Sequence, residues 1–184
     1  MGNLQLCFAL ILLTPTLYAG ELLHSFVDEE DDHYILNLDM RIEGEYDDVY
    51  EILINFDHLD NVNKTIESSQ LLESNDNVHK VQFLSHGCVW IICQDVNQVV
   101  MVTELGDGYI MSEVLPELSD MRYGRTLWQV IDEGENTRIK YYSDVVPDFW
   151  VPPLIGSSIL QDRLLKEGIK TINGIEHIIN EELE

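Results

Sequence analysis

A chain of 184 residues with 45% hydrophobic side chains carries enough apolar material for one core without cross-links, so a single domain is expected. Its 34 acidic against 10 basic side chains leave a formal charge of -24, which repels phosphate backbones and anionic surfaces and excludes nucleic acid as a partner. No nucleophile elbow, metalloprotease motif or glycine-rich strand-to-helix loop occurs, which disfavours hydrolases and nucleotide enzymes.

From Leu4 to Leu13 the chain is almost uninterruptedly apolar, and Thr14-Pro15-Thr16 and the small pair Ala19-Gly20 follow. The run is shorter than the roughly 18 to 20 residues of a membrane-spanning helix, so residues 1–20 read as a signal peptide. The expectation is a periplasmic or secreted protein with no integral membrane anchor after leader removal. Residues 21–32 include the like-charged block Asp28-Glu29-Glu30-Asp31-Asp32, whose self-repulsion predicts a solvated acidic linker. Residues 33–184 are then the domain.

That domain opens with Tyr34, Leu36, Leu38, Met40 and Ile42 alternating with polar neighbours, the period of a half-buried strand. Gly44 ends it, and Val49, Ile52, Leu53 and Phe56 at helical spacing predict a short helix over Asp47 to Asn55. Asp57 to Lys64 fits a second short helix or a bend. Seven β-favouring runs come next: Gln70 to Glu73, Val78 to Ser85, Val89 to Gln94, Gln98 to Glu104, Tyr109 to Leu115, Tyr123 to Ile131 and Thr137 to Val146. Turn clusters such as Gly106-Asp107-Gly108 separate them, which predicts an antiparallel meander. Pro147, Pro152 and Pro153 stop the sheet. Leu154 to Leu183 then carries Ile159, Leu165, Ile169, Ile172, Ile175 and Ile179 on one broad helical face. Gly156, Gly168 and Gly174 lower its intrinsic propensity by about 1 kcal/mol each, so packing has to stabilise it.

Cys88 and Cys93 are the only cysteines beyond the apolar leader. A disulfide would need the chain to reverse inside Val89-Trp90-Ile91-Ile92, an apolar tetrapeptide that lacks turn residues, so two buried thiols are the favoured reading and the bridge the alternative left open. With His79 and His86 they make no recognised zinc pattern, and no metal or cofactor is expected. Asn63-Lys64-Thr65 is a formal N-glycosylation acceptor.

Val49-Tyr50-Glu51-Ile52-Leu53-Ile54-Asn55-Phe56-Asp57-His58-Leu59 resembles the segment in which START-like proteins carry a Val-Tyr pair, an apolar helix and an aspartate. Gly124-Arg125-Thr126-Leu127-Trp128-Gln129-Val130 and Asn136-Thr137-Arg138-Ile139-Lys140-Tyr141 resemble their closing strands. Pro147-Asp148-Phe149-Trp150-Val151-Pro152-Pro153-Leu154-Ile155-Gly156 leads into the last helix as in exported bacterial members of the polyketide-cyclase and coenzyme Q-binding group of the START-like (SRPBCC) superfamily. The resemblance implies an α+β helix-grip fold, a curved antiparallel β-sheet wrapped around a long C-terminal helix with a cavity between. It implies binding or transport of an apolar small molecule or lipid, or a polyketide cyclase or dehydratase-like enzyme using the same cavity.

Within that cavity, alternation sets Trp128 with Val130 and Ile139 with Tyr141 on their strands' inner sides. Tyr109 with Met111, and Trp90, are the further apolar candidates. Glu113 and Arg125 are the polar residues expected to point inward and to orient a ligand carbonyl or move a proton. No residue is assigned a catalytic role.

Overall fold

The computed structural model describes residues 20–89, 92–149 and 156–182. Strand β2 (His33–Glu43) shows why the first alternating run is a strand: Tyr34, Leu36, Leu38, Met40 and Ile42 are all buried while their neighbours are not. After Gly44 the chain turns into helices α1 (Tyr46–Ile54) and α2 (Leu59–Val62), which bury Val49, Leu53 and Val62. The meander then runs through β3 (Ile66–Asn75), β4 (Val78–Val89), β5 (Ile92–Gly106), β6 (Tyr109–Val114), β7 (Met121–Asp132) and β8 (Asn136–Pro147). Helix α3 (Gly156–Glu182) follows. Among the described residues no helix is long and apolar enough to cross a membrane.

Two expectations are corrected here. The supposed acidic linker at residues 21–32 is instead strand β1 (Glu21–Glu30) and a tight turn, with β1 paired antiparallel to β2 from Glu21↔Arg41 to Glu30↔His33. Like charge did not keep it apart from the domain because Val27 packs on the core while Asp28 and Glu30 stay exposed. The acidic pair Asp31 and Asp32 makes the turn with positive φ, a conformation that aspartate tolerates better than most residues. The two short strands expected at Val89 to Gln94 and Gln98 to Glu104 are one strand, β5, and the reversal lies between Val89 and Ile92.

With β1 added, the strands form one sheet of eight in the order β1-β2-β8-β7-β6-β5-β4-β3, every neighbouring pair antiparallel. The α+β helix-grip architecture expected from the sequence is present: α3 packs against the sheet, with Ile172, Ile175 and Ile179 in one cluster with Leu38, Met40 and Ile42. Each such side chain contributes about 1.5 to 3 kcal/mol relative to exposure, which outweighs the glycine penalties in the helix.

Polar bonds lock the short helices. The Tyr50 hydroxyl on α1 donates to Glu104 on β5 at 2.8 Å, and Glu104 also meets His79 of β4 at 3.0 Å. On the outer side of the sheet, Arg138 donates from Nε and Nη2 to the two oxygens of Asp39, each at 2.7 Å.

Among the described glycines the tightest surroundings are at Gly174, where a Cβ would lie 1.9 Å from the Val62 carbonyl oxygen of α2. At Gly168 a Cβ would meet only the flexible ends of Leu38 and Leu36, at 2.5 and 3.0 Å. Gly174→Ala is therefore expected to lose about 2 kcal/mol or more despite gaining about 1 kcal/mol of helix propensity, and Gly168→Ala to lose markedly less. Equal denaturant midpoints for the two variants would contradict this packing.

The Asp39–Arg138 pair makes a second prediction. The hydrogen bonds from Arg138 hold the Asp39 carboxyl below its ordinary range, with burial opposing them. Stability from a depressed carboxyl is fully present above the unfolded pKa of about 3.9 and is lost as pH falls through the lower folded value. Asp39→Asn should flatten that acid limb of the stability profile, and an unchanged limb would show that the pair contributes nothing.

Candidate functional site

A cavity of about 300 Å³ lies between the sheet's inner face and the helices, within the size range of small-molecule sites. Leu36, Phe83, Val100, Val114, Trp128 and Val145 give it apolar walls, and Leu59 and Val62 of α2 with Leu164 and Gly168 of α3 face them. The strand period fixes which side chains these are. On β6 the inward residues are Ile110, Ser112 and Val114, with Ile110 in the buried core and the other two in the cavity wall.

Polar groups in the lining are few and ordered. Ser112 on β6 stands opposite Thr126 on β7, which stands opposite Ser143 on β8, making a row of hydroxyls across three strands. The Ser112 and Thr126 oxygens are 2.6 Å apart. Two register pairs further on, and on the same face, the Trp128 and Tyr141 rings pack with centroids 4.3 Å apart. Burial pushes the Tyr141 hydroxyl above its ordinary pKa, with Ser143 acting in the opposite sense, so the phenol stays protonated and can donate.

Among the described residues, Glu167 of α3 is the carboxylate in the wall. Its carboxylate accepts from Thr65 Oγ1 at 2.6 Å and Asn63 Nδ2 at 3.3 Å, and Arg163 lies 2.9 Å away. Burial raises its pKa, but these bonds and the cations Arg163 and Lys170 outweigh burial and hold it below the ordinary range. A carboxylate so engaged is a structural clasp between α3 and the segment after α2 and is poorly placed as a general base. Asn63 is buried and donates to Thr171 as well, so the formal glycosylation acceptor is committed to the interior.

Of the residues named from sequence, Trp128 and Tyr141 line the cavity. Tyr109, Met111, Glu113 and Arg125 do not; they occupy the opposite phase of β6 and β7 and lie on the outer face. Glu113 and Arg125 do pair, at 3.3 Å, but with half of each side chain exposed, so the bond is weak and can neither orient a guest nor pass it a proton. Arg125 also rests 3.7 Å from the Met111 sulfur, and Tyr109 borders a shallow outer groove with Gln129 and Lys140. Trp90 lies outside the described residues. Alternation names the members of each face but not which face is inner, and serine and threonine in the wall gave the apolar criterion nothing to select.

For the cysteines the alternative to two buried thiols is the one present. Cys88 stands opposite Cys93 with Cα atoms 3.9 Å apart, and the two form a disulfide. The reversal after Val89 brings together residues that five extended steps would separate.

No protein-family model matches the chain, and no curated protein matches it in sequence. Solved structures do match in shape. The Zhui aromatase/cyclase from Streptomyces sp. R1128 superposes with a TM-score of 0.68 at 12% identity, covering 83% of this chain and 96% of that one. A START superfamily protein from Mycobacterium smegmatis gives 0.64 at 12%, covering 82% and 99%. The STAR-related lipid transfer protein from Xanthomonas axonopodis gives 0.61 at 12%, covering 85% and 98%. The eight-stranded sheet, the long helix packed on it and these superpositions together identify the chain's architecture as the START-like helix-grip fold.

Proposed function

We propose that the protein encloses one apolar small molecule or lipid in this cavity and acts as a binding or carrier protein. The unfilled space of about 300 Å³ beneath the sheet carries the reading. A guest that buries about 200 Å² of apolar surface there gains roughly 5 kcal/mol, and the row of hydroxyls from Ser112 to Ser143 orients one oxygen of it. Structural neighbours named as a lipid transfer protein and as an aromatase/cyclase support a guest of this general kind. A cyclase reading would need an inward acid–base pair, and the pair expected for it, Glu113 with Arg125, faces outward. Export is part of the proposal, supported by the leader-like residues 4–20 and by the Cys88–Cys93 disulfide, since such bonds persist in oxidising compartments.

Ser112→Leu tests the cavity by filling it. A fluorescent lipid probe should bind the wild type and lose at least about tenfold in affinity to this variant, a change of about 1.4 kcal/mol, while the melting midpoint moves little. If the space were already packed, the added carbons would instead cost about 1 to 3 kcal/mol of stability. Trp128→Ala and Tyr141→Ala should weaken the probe in the folded fraction. Large stability losses with unchanged probe affinity would reject both as ligand contacts.

A further inference from the structure

The tip of the β4–β5 hairpin holds four groups that the cavity does not use. Cys88 and Cys93 face each other across the strands in a disulfide, and the next outward pair toward the stem is His86 opposite Asp95. His86 Nδ1 is 2.5 Å from Asp95 Oδ1, and its other nitrogen, Nε2, is 3.6 Å from the Cys88 sulfur. The carboxylate thus accepts a hydrogen bond from Nδ1–H and aims Nε2 at one particular sulfur. Cys93 is the more exposed of the two cysteines.

We propose that this hairpin tip is a thiol–disulfide exchange site, at which a small thiol attacks Cys93 and His86 receives the thiolate of Cys88 as it leaves. The incoming thiolate forms a bond to Cys93 Sγ, the Cys93–Cys88 bond breaks, and the electron pair goes to Cys88 Sγ. A second thiol, or the second sulfur of a dithiol, attacks its partner in the mixed disulfide and frees Cys93. The reductant leaves as its own disulfide, and its two protons end on Cys88 and Cys93. Exchange is faster when the leaving thiol has a low pKa, and an adjacent imidazolium lowers it.

The surroundings favour the charged ring. The hydrogen bond to Asp95 raises the pKa of His86, with the charges of Asp95 on β5 and Glu67 on β3 adding to it. Those two carboxylates are the titratable groups close to the ring among the described residues, and the Cys88 thiol joins them once the disulfide is opened. The same hairpin carries Phe83 and Ser85 on β4 and Gln98 and Val100 on β5 in the cavity wall, so the exchanging bond fastens the end of a ligand-lining element.

The full chain would be opened with excess dithiothreitol between pH 6 and 9, quenched with an alkylating agent, and each rate divided by the thiolate concentration. His86→Gln should be opened about three- to tenfold more slowly than wild type at the acid end, with the gap closing as pH passes the raised His86 pKa. Asp95→Asn should keep the fast phase but move its loss to lower pH, which provides a second reading if the first variant folds poorly. A monothiol trapped at low excess should map to Cys93. Equal rates for folded wild type and His86→Gln at every pH, or an adduct on Cys88, would overturn the proposal.

Discussion

One helix cannot cover eight strands. Neighbouring strands lie about 4.8 Å apart, so the flattened sheet would span roughly 33 Å, whereas a helix with its side chains is about 10 to 12 Å across. Helix α3 is seated toward β1 and β2, where Ile172, Ile175 and Ile179 are buried with Met40 and Ile42. Gly174 fixes the depth of that seat by letting the helix backbone reach the Val62 carbonyl. The inner faces of β5 to β8 are then left without a full cover, and the uncovered area forms a partly open cavity beneath the sheet. The cavity is a consequence of width mismatch and of where the helix is held.

Chemistry at the site follows from the same geometry. Side chains on these strands border the cavity instead of a closely packed helix, so they need not all be large, and Ser112, Thr126, Ser143 and Gly124 stand beside Trp128 and Tyr141. Larger residues there would complete an ordinary core. The ionisable group nearest the space, Glu167, is spent on Thr65, Asn63 and Arg163, which leaves the lining with neutral donors and acceptors. Among the described residues, such a wall presents apolar surface and a few neutral hydroxyls.

How much of this could be read from the chain depended on whether a residue's neighbours are solvent or core. Strand β2 was legible because one side is buried and the other wet, and the closing strands were bounded by glycine-rich or acidic turns. Strand β1 was not, because Leu22 and Phe26 are exposed while Leu23 and Val27 face inward, so apolar residues fall on both sides and the acidic end hides the pattern. The β4–β5 reversal was misplaced because Asp95-Val96-Asn97 has turn composition while the actual reversal follows Val89. On β6, Tyr109 and Met111 are the larger members of one phase, yet the wall belongs to Ser112 and Val114. On this strand size and apolarity point to the wrong face, whereas on β7 and β8 they pick out Trp128 and Tyr141 correctly.

Native mass spectrometry of gently purified protein tests the central claim most directly, with the denatured chain as the reference. The account predicts a mass excess corresponding to one bound small molecule, extractable into organic solvent and absent from Ser112→Leu. Identical masses in both conditions, together with a crystal structure in which Trp128 and Tyr141 fill the space beneath the sheet, would contradict it.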